Sequence, residues 1–398
     1  MARLISYCTS IVISILKKLS GLLPKDKRLI LFGAFLGEKY GDNSGYLFEY
    51  CSDNYFSIYN SIWLTNRKTI VKEVRSKGRK AYLKFSLKGL LLTLRAKVIV
   101  TSHGSNDVLI APITFHKIKE IYCHHGIPLR GAKINSSGIQ NRSLYLEQSK
   151  NLTYMLATSK WGGKQQIKNI PTSKRKVQIT GYPRNDVLTV PDLYINEVLK
   201  MKQSYNLNKK VILYAPTWRK WEAVKFFPFN DYKSNELALF FRRNNISIII
   251  RPHSVDLKRK RDIGLEDQFK DYRDVYKIIS HNDCNKIEIL LLCSDILITD
   301  YSSIFYDYLL LNRPILFIPY DIREYEKRNG KFNSDYFNHT PGHKIMNQNY
   351  LIDILSKLLK GNDEYYDERL NLKHLAYKYT DGQSCKRVSL LIDQLLLN

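Results

Sequence analysis

Residues 294–325, SDILITDYSSIFYDYLLLNRPILFIPYDIREY, decide the fold. Ile296–Thr299 and Ile315–Ile318 are short, unbroken apolar runs, the pattern of strands covered on both faces. Between them stand a polar turn, Asp300-Tyr301-Ser302-Ser303, and an apolar helical stretch. A helix crossing between two such strands makes them parallel. The turn falls at the carboxyl end of the first strand, where open parallel sheets bind their ligands. Its paired hydroxyls are predicted to cap the helix, whose first N–H groups and partial positive charge suit a phosphate.

Working outward, Val211–Ala215, Ile246–Ile250 and Val275–Ile279 precede this stretch as further buried-strand runs. An earlier set comprises Leu29–Phe35, Ser57–Leu64, Lys97–Ser102, Lys119–Cys123, Tyr154–Thr158 and Val177–Thr180. Each run ends in a polar or glycine loop, with room for a helix before the next. That alternation predicts an α/β chain of two tandem Rossmann-like, doubly wound domains. The expected division is 1–23 as a separate amphipathic segment, 24–190 as the first domain and 191–398 as the second, with a cleft between the domains. A length of 398 residues fits two domains of ordinary size.

The formal charge is +26, from 63 Lys and Arg against 37 Asp and Glu, so anionic partners are expected. Nucleic acid is set aside because no nucleic-acid module appears and the basic run Lys258–Arg261 has no aromatic residues interleaved. Six cysteines without C-x-x-C spacing read as reduced core residues of a cytoplasmic protein, and no metal site is expected. Leu4 to Leu16 is uncharged but far shorter than the ~20 residues that span a bilayer. As a helix, Ile5, Cys8, Val12, Ile15, Leu19 and Leu22 share one face. Two readings follow: a helix lying in the membrane surface, or one packed on the protein's own core.

Five strand ends carry residues suited to chemistry. After Lys119–Cys123 comes HHGIPLRG, with His124, His125 and Arg130; a histidine beside glycine accepts a proton near neutral pH and admits a substrate. After Val177–Thr180 comes GYPRNDVL, presenting Arg184 and Asn185. PTWRKW follows Val211–Ala215 and offers Thr217, Trp218 and Arg219. RPHS follows Ile246–Ile250 and offers Arg251 and His253. DYSS, with Asp300, Ser302 and Ser303, is the fifth. Histidines, arginines and hydroxyls without a carboxylate cluster suit displacement at a phosphoryl centre, where positioning and charge neutralisation do the catalysis.

These segments, with LILFGAF, DNSGYLFEY, TSKW, YDIREYEKRNG and the late DGQS, run in order from about residue 28 to 390. In that order they resemble the CDP-glycerol glycerophosphotransferase family, the enzymes that prime and polymerise teichoic acids and related polyol-phosphate capsules. The resemblance implies a GT-B type fold and peripheral attachment to the cytoplasmic face of the membrane. It further implies transfer of glycerol or ribitol phosphate from a CDP-activated donor to a lipid-linked saccharide or polymeric acceptor, with release of CMP. No cofactor is required by the sequence; the CDP-polyol is a substrate. By the same resemblance His125 is the base and His253 meets the donor diphosphate. Ser302 and Ser303 bind phosphate, Thr217 and Arg219 assist, and Arg251 and Asp300 join the donor side. Arg184 and Asn185 support. His124, Ile127, Arg130 and Ser254 depart from the family pattern, so His124 competes with His125 for the role of base. The enzymatic alternative is a GT-B glycosyltransferase using a nucleotide sugar for cell-surface polysaccharide.

Overall fold

A computed structural model describes residue 18 and residues 20–109, 117–130, 152–170, 174–253 and 264–397. Most of the amino-terminal segment, Gly131, Ser254 and the basic run at 258–261 lie outside them. The chain divides into two compact units. The first takes the chain up to Ile127, the stretch ending at Asp186, and everything from Lys378 onward; the second takes Pro128–Gly131 and Val187–Tyr377.

The first unit holds a seven-stranded sheet: β1 (Asp26–Gly33), β2 (Asn60–Thr65), β3 (Ala81–Leu83), β4 (Ala96–Thr101), β5 (Lys119–Tyr122), β6 (Leu152–Ala157) and β7 (Val177–Ile179). Their order is β3-β2-β1-β4-β5-β6-β7, and every neighbouring pair is parallel. The second unit holds β8 (Lys210–Tyr214), β9 (Ile246–Ile250), β10 (Tyr276–Ile278), β11 (Ile296–Thr299), β12 (Ile315–Phe317) and β13 (His343–Lys344). Its order is β10-β9-β8-β11-β12-β13, again parallel throughout. All five residues of β9 and all four of β11 are buried, as two-sided coverage by helices demands. Strand order reverses between β1 and β4 in one sheet and between β8 and β11 in the other. Those two reversals are where ligand crevices form.

The division differs from the sequence expectation at its end. Helix Ser384–Leu397, expected in the second domain, belongs to the first unit. Asp186 is the reason: its carboxylate accepts the N–H groups of Ser384 and Cys385, both at 2.9 Å, and so caps that helix. Gly181, at φ +81, lets the chain pass there; a Cβ would meet the Ser384 Oγ at 2.3 Å. Tyr59 adds bonds to the Asp393 carboxylate at 2.5 Å and the Ser389 carbonyl at 3.2 Å. Cys51, Cys123, Cys284, Cys293 and Cys385 are buried free thiols. Among the described residues no helix is long and apolar enough to cross a membrane.

Candidate active site

In the first unit the polar groups gather where β1, β4, β5 and β7 end. Helix Asp42–Asn54 begins there, and its first three residues organise the corner. Asn43 donates its side-chain N–H to the His124 carbonyl at 2.8 Å and accepts the Arg184 N–H at 3.1 Å. Ser44 Oγ donates to the Gly33 carbonyl at 2.7 Å and lies 2.9 Å from Ser102 Oγ. Asp42 accepts the Arg184 guanidinium at 3.0 Å through Oδ1, and its Oδ2 lies 3.7 Å from His103 Nε2.

Three imidazoles stack at this corner. His103 lies parallel to His125, within 5° and 4.9 Å between centroids; His125 lies parallel to His124, within 9° and 4.7 Å. His124 is buried at 4% exposure and adopts φ +61, whereas His125 is exposed. Burial holds the His124 pKa far below the usual histidine value, and the charge of Arg184 adds to that. His125 is lowered as well, because its ring is packed between two others; Asp42 pulls the other way and Arg184 adds to the lowering. His103 is pushed down to about 3 by burial. Its Nδ1 accepts the Phe35 N–H at 3.1 Å, so a second proton would cost that bond as well.

The loop that offers this N–H is strained. Phe35 and Leu36 have φ +50 and +57, in the left-handed region that non-glycine residues avoid at about 1–3 kcal/mol each. Asp107 holds the loop by accepting the N–H groups of Leu36, Ser102 and His103 at 2.7–2.9 Å. Burial raises that carboxyl to about 6 even against the three donors. Lys84 Nζ closes the other side on the Asn106 carbonyl at 2.8 Å. Backbone strain held this firmly is characteristic of functional corners.

In the second unit the corresponding corner lies at the ends of β8, β9, β11 and β12. Asp300 Oδ1 accepts the Thr217 N–H at 2.7 Å and the Tyr301 N–H at 2.5 Å, joining both sides of the strand-order reversal. Thr217 Oγ1 is buried without a hydrogen-bond partner among the described residues, a donor aimed at no protein group. The His253 ring lies 5.9 Å from that of Trp218, nearly parallel. Ser302 and Ser303 are half-buried.

Three expectations are corrected here. Arg219 does not present a free guanidinium to phosphate: it is fully buried, with Nε and Nη2 on Asp321 at 2.9 and 2.8 Å and Nη1 on Asp300 at 2.8 Å. Tyr301, Tyr320 and Tyr325 pack around it at 5.2–5.3 Å. Arg251 is likewise consumed, donating to the carbonyls of Ile279, Ser280 and Cys284. Asp300, buried and occupied by these donors, positions its neighbours rather than meeting an anion. The DYSS helix also differs, running only from Ile304 to Leu309. Ser303 makes no side-chain cap, and only Ser302 Oγ accepts an N–H, from Ile304 at 3.3 Å. So short a helix adds little dipole, and what the corner offers an anion is hydroxyls and an imidazole.

Arg184 stands on Asp42, and Asn185 is buried in the following turn with its N–H on the Tyr182 carbonyl at 2.9 Å. Arg130 belongs to the second unit, where it donates to the Asn329 carbonyl at 3.3 Å and covers the Tyr325 ring. His103 and Asp42 escaped the sequence reading as site residues. His103 follows β4 just as His125 follows β5, so the same strand-end rule reaches it.

Two parallel-sheet units, each with its polar groups at the reversal of strand order, make up a GT-B type α/β fold. Solved structures of the wall teichoic acid polymerase TagF share the fold. One, of a variant soaked with CDPG, superposes with a TM-score of 0.78 at 22% identity, covering 100% of this chain and 97% of that one. Teichoic acid glycerol-phosphate transferase of Staphylococcus aureus (strain NCTC 8325 / PS 47) is 30% identical over 386 residues, 93% of this chain and 94% of its own. Teichoic acid poly(glycerol phosphate) polymerase of Bacillus spizizenii (strain ATCC 23059 / NRRL B-14472 / W23) is 30% identical over 406 residues, 97% and 96% of the two chains. The chain belongs to the CDP-glycerol:poly(glycerophosphate) glycerophosphotransferase family, which matches residues 15–394.

Proposed function

We propose that this enzyme transfers glycerol phosphate from CDP-glycerol to a hydroxyl of a lipid-linked or polymeric teichoic-acid-type acceptor and releases CMP. The acceptor oxygen attacks the phosphorus that carries glycerol. The new O–P bond forms as the P–O bond to CMP breaks, and the hydroxyl proton passes to His125. The observation that carries this reading is the imidazole stack of a glycerophosphotransferase-family chain, in which His125 is the exposed ring and His124 the buried one. In the second unit, His253 and the hydroxyls of Thr217, Ser302 and Ser303 neutralise the diphosphate oxygens. Asp300, Arg219 and Arg251 hold that corner in shape, as Asp42, Arg184 and Asn185 do in the first unit. No resident metal or cofactor enters this reading. Glycerol is favoured over ribitol because the relatives matched over nearly their whole length are glycerol-phosphate enzymes. A ribitol-phosphate polymerase matches over 54% of this chain.

The test offers purified protein CDP-glycerol and CDP-ribitol separately, with a short glycerol phosphate oligomer as acceptor, and follows CMP. CMP from CDP-ribitol alone would replace the donor; a nucleoside diphosphate from a nucleotide sugar would replace the reaction class. His253→Ala and Ser302→Ala are each expected to weaken the transition state by roughly 2–3 kcal/mol. Full turnover in both variants removes the diphosphate site from this corner.

The enzyme works, in this reading, as a peripheral protein on the cytoplasmic face of the membrane. Supporting it are the charge of +26 and an exposed apolar row, Phe85, Leu87 and Leu91, on and beside helix Leu87–Arg95, flanked by exposed Lys88 and Arg95. Leu22, exposed at 80%, ends the amphipathic segment. Leu87→Ser with Leu91→Ser should reduce co-sedimentation with phosphatidylglycerol vesicles while CMP release with the soluble oligomer persists. Undiminished co-sedimentation would take this row out of the membrane contact.

A further inference from the structure

His103 touches none of the atoms that the proposed reaction transfers, yet three restraints fix its ring. Nδ1 accepts the Phe35 N–H at 3.1 Å, which sets the ring proton on Nε2. Nε2 then faces Asp42 Oδ2 at 3.7 Å. The Phe35 ring leans on the opposite side at 4.3 Å, tilted by 37°. Held in this way, His103 presents a flat face to His125.

His125 needs such a face. It is exposed, and a hydrogen bond to the Ser102 carbonyl holds one edge of the imidazole without fixing the tilt of its plane. A general base works only while its lone pair stays aimed at the proton it takes. His124 covers the other face, but it is the preceding residue and moves with the same loop. His103 stands on the end of β4, tied to the β1 loop and to helix Asp42–Asn54. We infer that His103 is a positioning residue: its anchored ring sets the plane of the His125 imidazole and keeps it aimed at the acceptor hydroxyl. The inference rests on His125 being the base. The remaining groups acting on His125 are Asp42, Arg184 and the Ser102 carbonyl, which accepts a hydrogen bond from the ring and favours its protonated form. Of these, Asp42 alone carries negative charge to favour the imidazolium formed in the reaction.

Two variants separate the ring from its hydrogen bond. His103→Phe keeps a flat ring and loses the acceptor for Phe35; His103→Asn keeps an acceptor and loses the ring. Turnover by His103→Phe, which keeps the flat face but loses both polar anchors, should fall by less than about tenfold, while His103→Asn falls further, by at least about tenfold, with KM for CDP-glycerol within about twofold in both. In a His125→Ala background, His103→Asn should change the residual rate by less than about twofold, because the residue acts through the ring already removed. Turnover of His103→Asn equal to or above that of His103→Phe overturns the inference, as does a tenfold loss that persists without His125. A His125→Ala enzyme of normal turnover instead overturns the base assignment, and is read independently of the His103 pair.

Discussion

Replacing His125 with alanine is expected to lower turnover by roughly 10²–10⁴-fold, the contribution of one well-placed general base, with the unfolding midpoint unchanged. The ring is exposed, so its removal opens no buried cavity, and the neighbouring His124 and His103 keep their own bonds to Asn43 and Phe35. The pH dependence follows from the direction of its shift. Packing between two imidazoles, with Arg184 nearby, lowers the pKa of His125. A base is active when neutral, so kcat/KM should hold below the ordinary histidine value of about 6.5 and fall only at more acid pH. His125→Ala should lose that limb together with its rate. Normal turnover would return the role to another group, and His124 is a poor substitute: it is buried, and its backbone carbonyl is tied to Asn43.

The second large effect is on stability. Arg219→Leu is expected to destabilise the second unit by about 3–5 kcal/mol, the penalty for leaving buried charges without their partner. Asp300 and Asp321 would both lose the guanidinium that neutralises them, and Asp300 is only 1% exposed. Burial works against the charge of Arg219, and the two carboxylates more than offset it, so its pKa is raised. Loss of contact with three tyrosines is the smaller effect, about 0.5–2 kcal/mol for each cation–π pair and not additive. For a unit of this size the midpoint should fall by roughly 10 °C in a thermal melt. An unchanged midpoint with weakened CDP-glycerol binding would instead make Arg219 a direct ligand of the donor.

That contrast marks where residue type stops being informative. Arginine after a strand suggests an anion site, and the sequence reading placed Arg219 and Arg251 there. What decides the matter is pairing across 81 and 102 residues for Arg219 and a ring of backbone carbonyls for Arg251, neither of which leaves a periodic trace. The strands were legible because each is a compact apolar run. β3 and β13 were not, being three and two residues long. The closing helix was legible from Val388 to Leu397 but not as part of the first unit, since the bonds that place it there reach back from Ser384 and Cys385 to Asp186. At the site, His124, His125 and the DYSS corner stood out as motifs. His103 sits in an ordinary-looking TSHGS at the end of β4, and stacking against His125 is what sets it apart from other strand-end residues.

Closure of the first sheet's unit by residues 384–397 has a bearing on synthesis. The stretch that completes the histidine-bearing unit is synthesised after residues 187–377, so that unit cannot reach its final form until the whole second unit has been made. Until Asp186 captures the N–H groups of Ser384 and Cys385, the helix that packs on β1, β4 and helix Asp42–Asn54 is not held in place. A chain cut shortly before residue 384 would therefore leave the first unit open to proteases, while the second, which ends at Tyr377, keeps all of its strands.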